Sequence, residues 1–244
     1  MRRIGEMSSS LQLRRPVRLP RGVKKNDPRI YYLAKDEKDA VAKVAKCEGS
    51  KDKLNFLLRR AAYWDDLLTA KCALEAGAGP NSQNLLGEGP MVSLCHKGSV
   101  KMLKLFLSHG ASLGPDKFGM PPLLHAIEQF REDLAVEMIA SGADVNGRWN
   151  ATLSTALHQA VTRPKCIGIT KHLISAGADP RELNGGGYDV LAYAKIYNEK
   201  FGGVPPIVFK ILRAALKKWE GKPRPKIPRR KPTSETERMA RKYL

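Results

Sequence analysis

EMIASGADVNG, residues 137–147, closes an apolar helical pattern on a glycine and runs at once into turn-forming residues. The same phrase recurs as CALEAGAGPNS from Cys72, LFLSHGASLGP from Leu105 and HLISAGADPRE from His172. The shared glycines are Gly77, Gly110, Gly142 and Gly177, so the steps between them are 33, 32 and 35 residues. Glycine ends a helix well because it adopts positive φ without a Cβ penalty, and a small alanine after it lets the chain turn sharply. Asp144, Asn146, Asp179 and Pro180 then favour β-turns, through side-chain hydrogen bonds or a preset φ.

Upstream of each stop the pattern is equally regular. A short helix is predicted to open at GPMVSLC (Gly89), PPLLHAI (Pro121), STALHQAV (Ser154) and, more distantly, YDVLAYA (Tyr188). Proline is tolerated just inside a helix start, where its missing N–H would be unpaired anyway. A second amphipathic helix follows, as in SVKMLKLFLSHG, where Val100, Leu103, Phe106 and Leu107 share one face. One unit is therefore two short helices and a turn, which predicts an all-α solenoid.

These residues resemble the ankyrin-repeat family, whose repeat has a Thr-Pro-Leu-His opening and a Gly-Ala-Asp turn. TALHQA (Thr155–Ala160) with GADP at Gly177 matches that pattern best, and PPLLHAI with GADVN at Gly142 nearly as well. Five units follow, at roughly 53–82, 83–114, 115–149, 150–184 and 185–220, so the resemblance covers about 170 of 244 residues. The last unit carries an insertion, NEKFGGVPP, and lacks a Gly-Ala stop; degraded outer units suit repeats that cap a stack against water. In the final helix Val208, Ile211, Leu212, Ala215, Leu216 and Trp219 share an apolar face, and Lys210, Arg213 and Lys217 a solvated one. The predicted organisation is a basic tail over 1–35, the repeat domain with an N-terminal capping helix over 36–220, and a basic Pro-rich tail over 221–244.

Charge is segregated along the chain. Residues 1–35 hold ten cations and two acids and residues 221–244 hold nine and two, so 15 of the 19 net positive charges sit on about a quarter of the sequence. The tails mix Pro, Gly and cations with few large apolar residues, too few to offset the entropy of ordering alone. Such segments suit a polyanion, since each cation laid on a phosphate releases condensed counterions. The expected RNA contacts are Arg14, Arg15, Arg18, Arg21, Lys24 and Lys25, with Arg224, Lys226, Arg229, Arg230 and Lys231. The other reading gives the tails only a solubility or targeting role. The Arg- and Ser-containing start, nearly free of acids, has the composition of a mitochondrial import peptide, here expected to remain as an RNA-binding arm. Ser234 and Glu237 have capping-box spacing for a short terminal helix bearing Arg238, Arg241 and Lys242.

The resemblance implies a concave face, made by turn tips and first helices, that binds proteins. The tip candidates are Leu85, Phe118, Arg148 and Trp149, the two aromatics being the natural interface anchors. Chemistry is not predicted. Cys47, Cys72, Cys95 and Cys166 are far apart, with no zinc spacing, which favours a reducing compartment. His125 and His158 occupy or adjoin the family's structural histidine position, His109 precedes a glycine stop, and Cys95 with His96 are only sequence neighbours. No phosphate loop, dinucleotide fingerprint or metal motif calls for a catalytic residue, cofactor, metal or small-molecule substrate, and no apolar run reaches membrane-span length. The expected role is a non-enzymatic scaffold in a ribonucleoprotein, specifically an accessory ribosomal protein of mitochondria, with rRNA and neighbouring proteins as partners. The alternative is an interaction adaptor or effector whose basic tails serve targeting or solubility, and the alternative compartment is the cytoplasm.

Overall fold

The computed structural model describes residues 33–85 and 87–223. The tail cations from Arg14 to Lys25 and from Arg224 to Lys231, and the terminal-helix residues around Ser234, lie outside these described residues. Within them the chain is helical, with one isolated β-bridge, Arg148 to Thr155. Helix α1 (Glu37–Ala45) precedes five pairs: α2 (Lys51–Trp64) with α3 (Leu67–Glu75), α4 (Pro90–Lys97) with α5 (Val100–Ser108), α6 (Pro122–Glu128) with α7 (Glu132–Ala140), α8 (Ala156–Val161) with α9 (Ile167–Ser175), and α10 (Val190–Phe201) with α11 (Pro206–Lys218). The first helices α2, α4, α6, α8 and α10 stack in one row, and α3, α5, α7, α9 and α11 in a second row that α1 extends by packing on α3. This is an ankyrin-type helical stack.

Sequence sets the ends of these helices. Ser50, Asp66 and Ser99 cap α2, α3 and α5 with side-chain oxygens that accept N–H groups of the first turn. The stop glycines Gly77, Gly110, Gly142 and Gly177 have φ of 96°, 79°, 91° and 93°. In each stop the next alanine's N–H turns back to a helix carbonyl, as Ala143 does to Met138 at 2.9 Å. Ala78, Ala143 and Ala178 are buried there, which explains why a small residue must follow the glycine.

Burial runs unbroken through both rows. Leu58, Leu94, Leu124 and Leu157 in the first row, and Phe106, Met138 and Leu173 in the second, belong to one continuous core. The final insertion is resolved differently from its sequence reading: Asn198–Phe201 continue α10, and only Gly202–Pro205 form the link to α11. On α11, Val208, Leu212 and Ala215 are buried and close the stack.

Hydrogen bonds stitch successive stops together. Asn81 donates to the Gly110 carbonyl at 2.9 Å and accepts from Ser112 N–H at 2.7 Å. Asn146, four residues after its own glycine, repeats this on Gly177 (3.3 Å) and Asp179 (2.9 Å). At both ends of the described chain an ionic side chain takes over, the buried Asp66 at the start and the half-buried Arg181 at the end. Asp66 accepts from Ala34 N–H at 2.7 Å, from Thr69 N–H at 3.1 Å and from Thr69 Oγ1–H at 2.6 Å. Arg181, paired with Asp179, donates to the carbonyls of Trp219, Lys222 and Pro223 and lies 4.8 Å from the Trp219 ring centre.

Removing either kind of tie has a graded cost. Asn146→Ala is expected to lower stability by about 1–2 kcal/mol, and Asp66→Ala, which strands several buried donors, by about 3 kcal/mol. Urea denaturation of both variants against the parent checks the order and the size.

Candidate functional site: the groove between tips and first helices

Three turn tips are built on one rule. Asn84, Asp116 and Asn184 each start a five-residue loop in which their side-chain oxygen accepts backbone N–H groups: Asn84 from Glu88, Asp116 from Phe118 and Met120, Asn184 from Gly186 and Tyr188. The fourth residue is Gly87, Gly119 or Gly187, each at φ 76°. Backbone bonds from Asn84 N–H to Glu88 (3.1 Å), Asp116 N–H to Met120 (3.0 Å) and Asn184 N–H to Tyr188 (3.0 Å) close the loops.

The tip between the third and fourth units breaks the rule, and this corrects the reading of Trp149. Trp149 stands where the other tips have Asn or Asp, closing a loop to Ser154 at 3.0 Å that is one residue longer, with Leu153 at φ 52° in place of the glycine. An indole cannot fold back on its own turn as a short amide or carboxylate does, so it packs inward at 6% exposure. Trp149 is therefore not an exposed anchor. Nor is Arg148 a free tip: its guanidinium pairs with Glu182 and donates to the Leu183 carbonyl of the next unit.

The two remaining tip candidates differ. Leu85 is 94% exposed. Phe118 is half-buried because it lies across Gly87 of the preceding tip, where a Cβ would come within 2.4 Å of its ring. Lys117 holds the same two tips together through the Gln83 side chain and the Asn84 and Leu85 carbonyls.

Behind these tips, between α4 and α6, lies a groove of about 270 Å³. Its walls combine Val92, Met120, Phe118 and Trp149 with three acids, Glu88, Asp116 and Glu128, and with His96, His125 and Gln129. Burial disfavours the Asp116 carboxylate, but the His125 side chain (3.2 Å) and the N–H groups of Met120 and Phe118 outweigh it and hold its pKa below the usual value. Burial pushes Glu128 the other way, above the usual carboxylate range, with only partial relief from His125 and from Arg163 at 4.0 Å. Glu128, unlike Asp116, is therefore a carboxylate whose burial is incompletely compensated.

Three histidines and Cys95 have structural positions. His158 occupies the repeat's structural position: Nδ1 meets Thr155 Oγ1 at 2.9 Å and Nε2 meets the Tyr188 carbonyl of the next tip at 3.1 Å. His125 adjoins that position and bonds Asp116 of its own tip. His109 caps α5 and contacts the Leu105 carbonyl at 2.9 Å. Cys95 is fully buried, and burial pushes its thiol up to about 12, so it is no nucleophile at neutral pH. Among the described residues no cluster of His, Cys, Asp and Glu could hold a metal ion, and no helix is long and apolar enough to cross a membrane.

A family model described as ankyrin repeats (3 copies) matches residues 58–149, within the helical stack described above. BRCA1-associated RING domain protein 1 of Caenorhabditis elegans is 28% identical over 109 residues, which is 45% of this chain and 15% of that relative. Ankyrin repeats are protein-interaction modules, in general without catalysis.

Burial, partly offset by the bond to Tyr188, lowers the His158 pKa from 6.5 to about 4. Between those values the unfolded chain binds a proton that the folded chain refuses, so stability falls as pH drops from 6.5 towards 4, by up to about 3 kcal/mol. Denaturation at stepwise pH should show this slope, and His158→Gln should lack it.

Proposed function

We propose that this protein is a non-enzymatic scaffold whose groove takes a basic segment of a partner protein. The observation that carries the reading is the groove itself: three carboxylates, one of them incompletely compensated, beside apolar and aromatic walls on the side of the stack that ankyrin repeats use for recognition. A Lys or Arg side chain entering there would neutralise Glu128 while its methylene stem covers Phe118 and Val92. Selection of peptides on the full-length protein is expected to enrich Lys or Arg at one position, with Glu128→Lys weakening the selected peptides about tenfold or more. Enrichment without a basic position, or binding indifferent to Glu128→Lys, would overturn it.

A second reading concerns the tails and is favoured by the segregation of 15 of 19 net charges onto them. We infer that they lie on RNA, which would make the chain a structural component of a ribonucleoprotein, with an accessory ribosomal protein of mitochondria as the specific proposal. Full-length protein should then bind RNA with a steep salt dependence. Replacing Arg14, Arg15, Arg18, Arg21, Lys24, Lys25, Arg224, Lys226, Arg229, Arg230 and Lys231 by Gln should remove most of that slope. A slope left intact would return the tails to an addressing or solubility role.

A further inference from the structure

Helix α11 ends the second-helix row, and its buried side is Val208, Leu212 and Ala215. The opposite side is cationic. Lys210, Arg213 and Lys217 fall at i, i+3 and i+7, Lys218 follows, and all four are exposed. Lys171 is exposed on α9, the helix against which α11 packs in that row. Neither α9 nor α11 contains an acidic residue. None of these five cations has a side-chain hydrogen bond, ion pair or ring contact among the described residues.

Like charges at i+3 and i+4 weaken a helix, and a face that only meets water is better built from both signs. Earlier in the same row, Lys71 lies 3.8 Å from Glu75 within α3, and Lys104 of α5 lies 3.3 Å from Glu137 of α7. The end of α11 is also held in place, since Arg181 donates to the Trp219 carbonyl at 3.2 Å and lies 4.8 Å from its ring centre. A row of cations about 12 Å long, from Lys210 to Lys218, is thus presented on a fixed helix.

A line of phosphates completes such a row. Single-stranded nucleic acid would also call for rings on which bases stack, and no Phe, Tyr or Trp of α9 or α11 is exposed. A lipid surface would call for apolar side chains to bury. Among its large apolar residues α11 exposes Ile207 alone, at 43%, and Phe201, 73% exposed, belongs to the preceding helix. A duplex turns its phosphates outward and hides its bases, so cations alone suffice.

We propose that the outer face of α11, with Lys171 of α9, is a docking surface for the phosphate backbone of double-stranded RNA. The choice of RNA rests on the second reading of the tails given above. The face belongs to the second-helix row, whereas the acid groove lies between the tips and the first helices, so both can be occupied at once.

The test titrates a fluorescent RNA duplex of about 20 base pairs with the full chain at several salt concentrations. The α11 variant carries Lys210→Gln, Arg213→Gln, Lys217→Gln and Lys218→Gln, and it is compared with the parent, the tail-to-Gln variant and a control. The control carries Lys38→Gln, Lys46→Gln, Lys51→Gln and Lys101→Gln, which removes the same charge from exposed lysines elsewhere. The α11 variant should keep the parent's melting temperature, because its four positions are exposed. It should lower the slope of log affinity against log salt by about three to four, while the control keeps the parent slope. If the α11 variant changes the slope no more than the control while the tail variant loses it, the docking surface is overturned and the tail reading stands. If the α11 variant lowers the slope while the tail variant keeps the parent's, the docking surface stands and the tail reading falls. An α11 effect seen equally with a single-stranded oligouridylate, or seen only with phosphatidylserine vesicles or polyglutamate, overturns the duplex assignment. So does failure of every form to bind the duplex.

Discussion

No helix pair in this chain can bury its own apolar surface, and that constraint governs the rest. With first helices of six to fourteen residues, one pair is far below the size at which a core becomes self-sufficient. Leu94, Leu124 and Leu157 are nevertheless almost completely buried, because each is covered by the units on either side. Stability is therefore a property of interfaces between units, and the turns must return each pair at the same angle and distance. The positive-φ glycine and the buried alanine after it do this, and the Asn81 and Asn146 ties keep successive turns in register.

The same requirement explains what could be read from the sequence. A stop needs glycine for its backbone and alanine for its volume, so Gly77, Gly110, Gly142 and Gly177 announce the period directly. The His158 role was equally legible, since its neighbours in TALHQA are those the repeat requires. Trp149 was not. Exposure of a tip aromatic depends on which loop position it fills, and the spacing of the stops carries no such information. A signal did exist: NLLG, DKFG and NGGG, starting at Asn84, Asp116 and Asn184, share an Asx-x-x-Gly form, whereas WNATL from Trp149 has neither end of it. The departure marks the one tip whose first side chain must go inward. The acid groove was also illegible, because Glu88, Asp116 and Glu128 converge only once the second and third units stack.

Electrostatics then divides the molecule by sign. The groove gathers carboxylates, one of them destabilised by burial, while α11 and both tails gather cations. A single polyanion could not satisfy both, and neither could a single basic peptide. Two kinds of partner on separate surfaces fit this distribution, and the stack between them supplies geometry.

That geometry extends to where the tails begin. Asp66 fixes Ala34 beside the loop between α2 and α3, at the start of the stack, and Arg181 fixes Trp219, Lys222 and Pro223 at its end. Both anchors are buried or half-buried ionic groups with several hydrogen bonds, which resist local fraying better than an exposed ion pair does. The two cationic segments therefore start a fixed distance apart, set by the number of units between them. On the RNA reading, this turns two weak, salt-sensitive contacts into one bivalent attachment, whose gain depends on a polyanion long enough to reach both roots. A flexible linker of equal length would hold the tails near each other without setting their separation. A repeat stack sets it, which gives the chain a physical reason to place its cations at the two ends and leave the middle almost neutral.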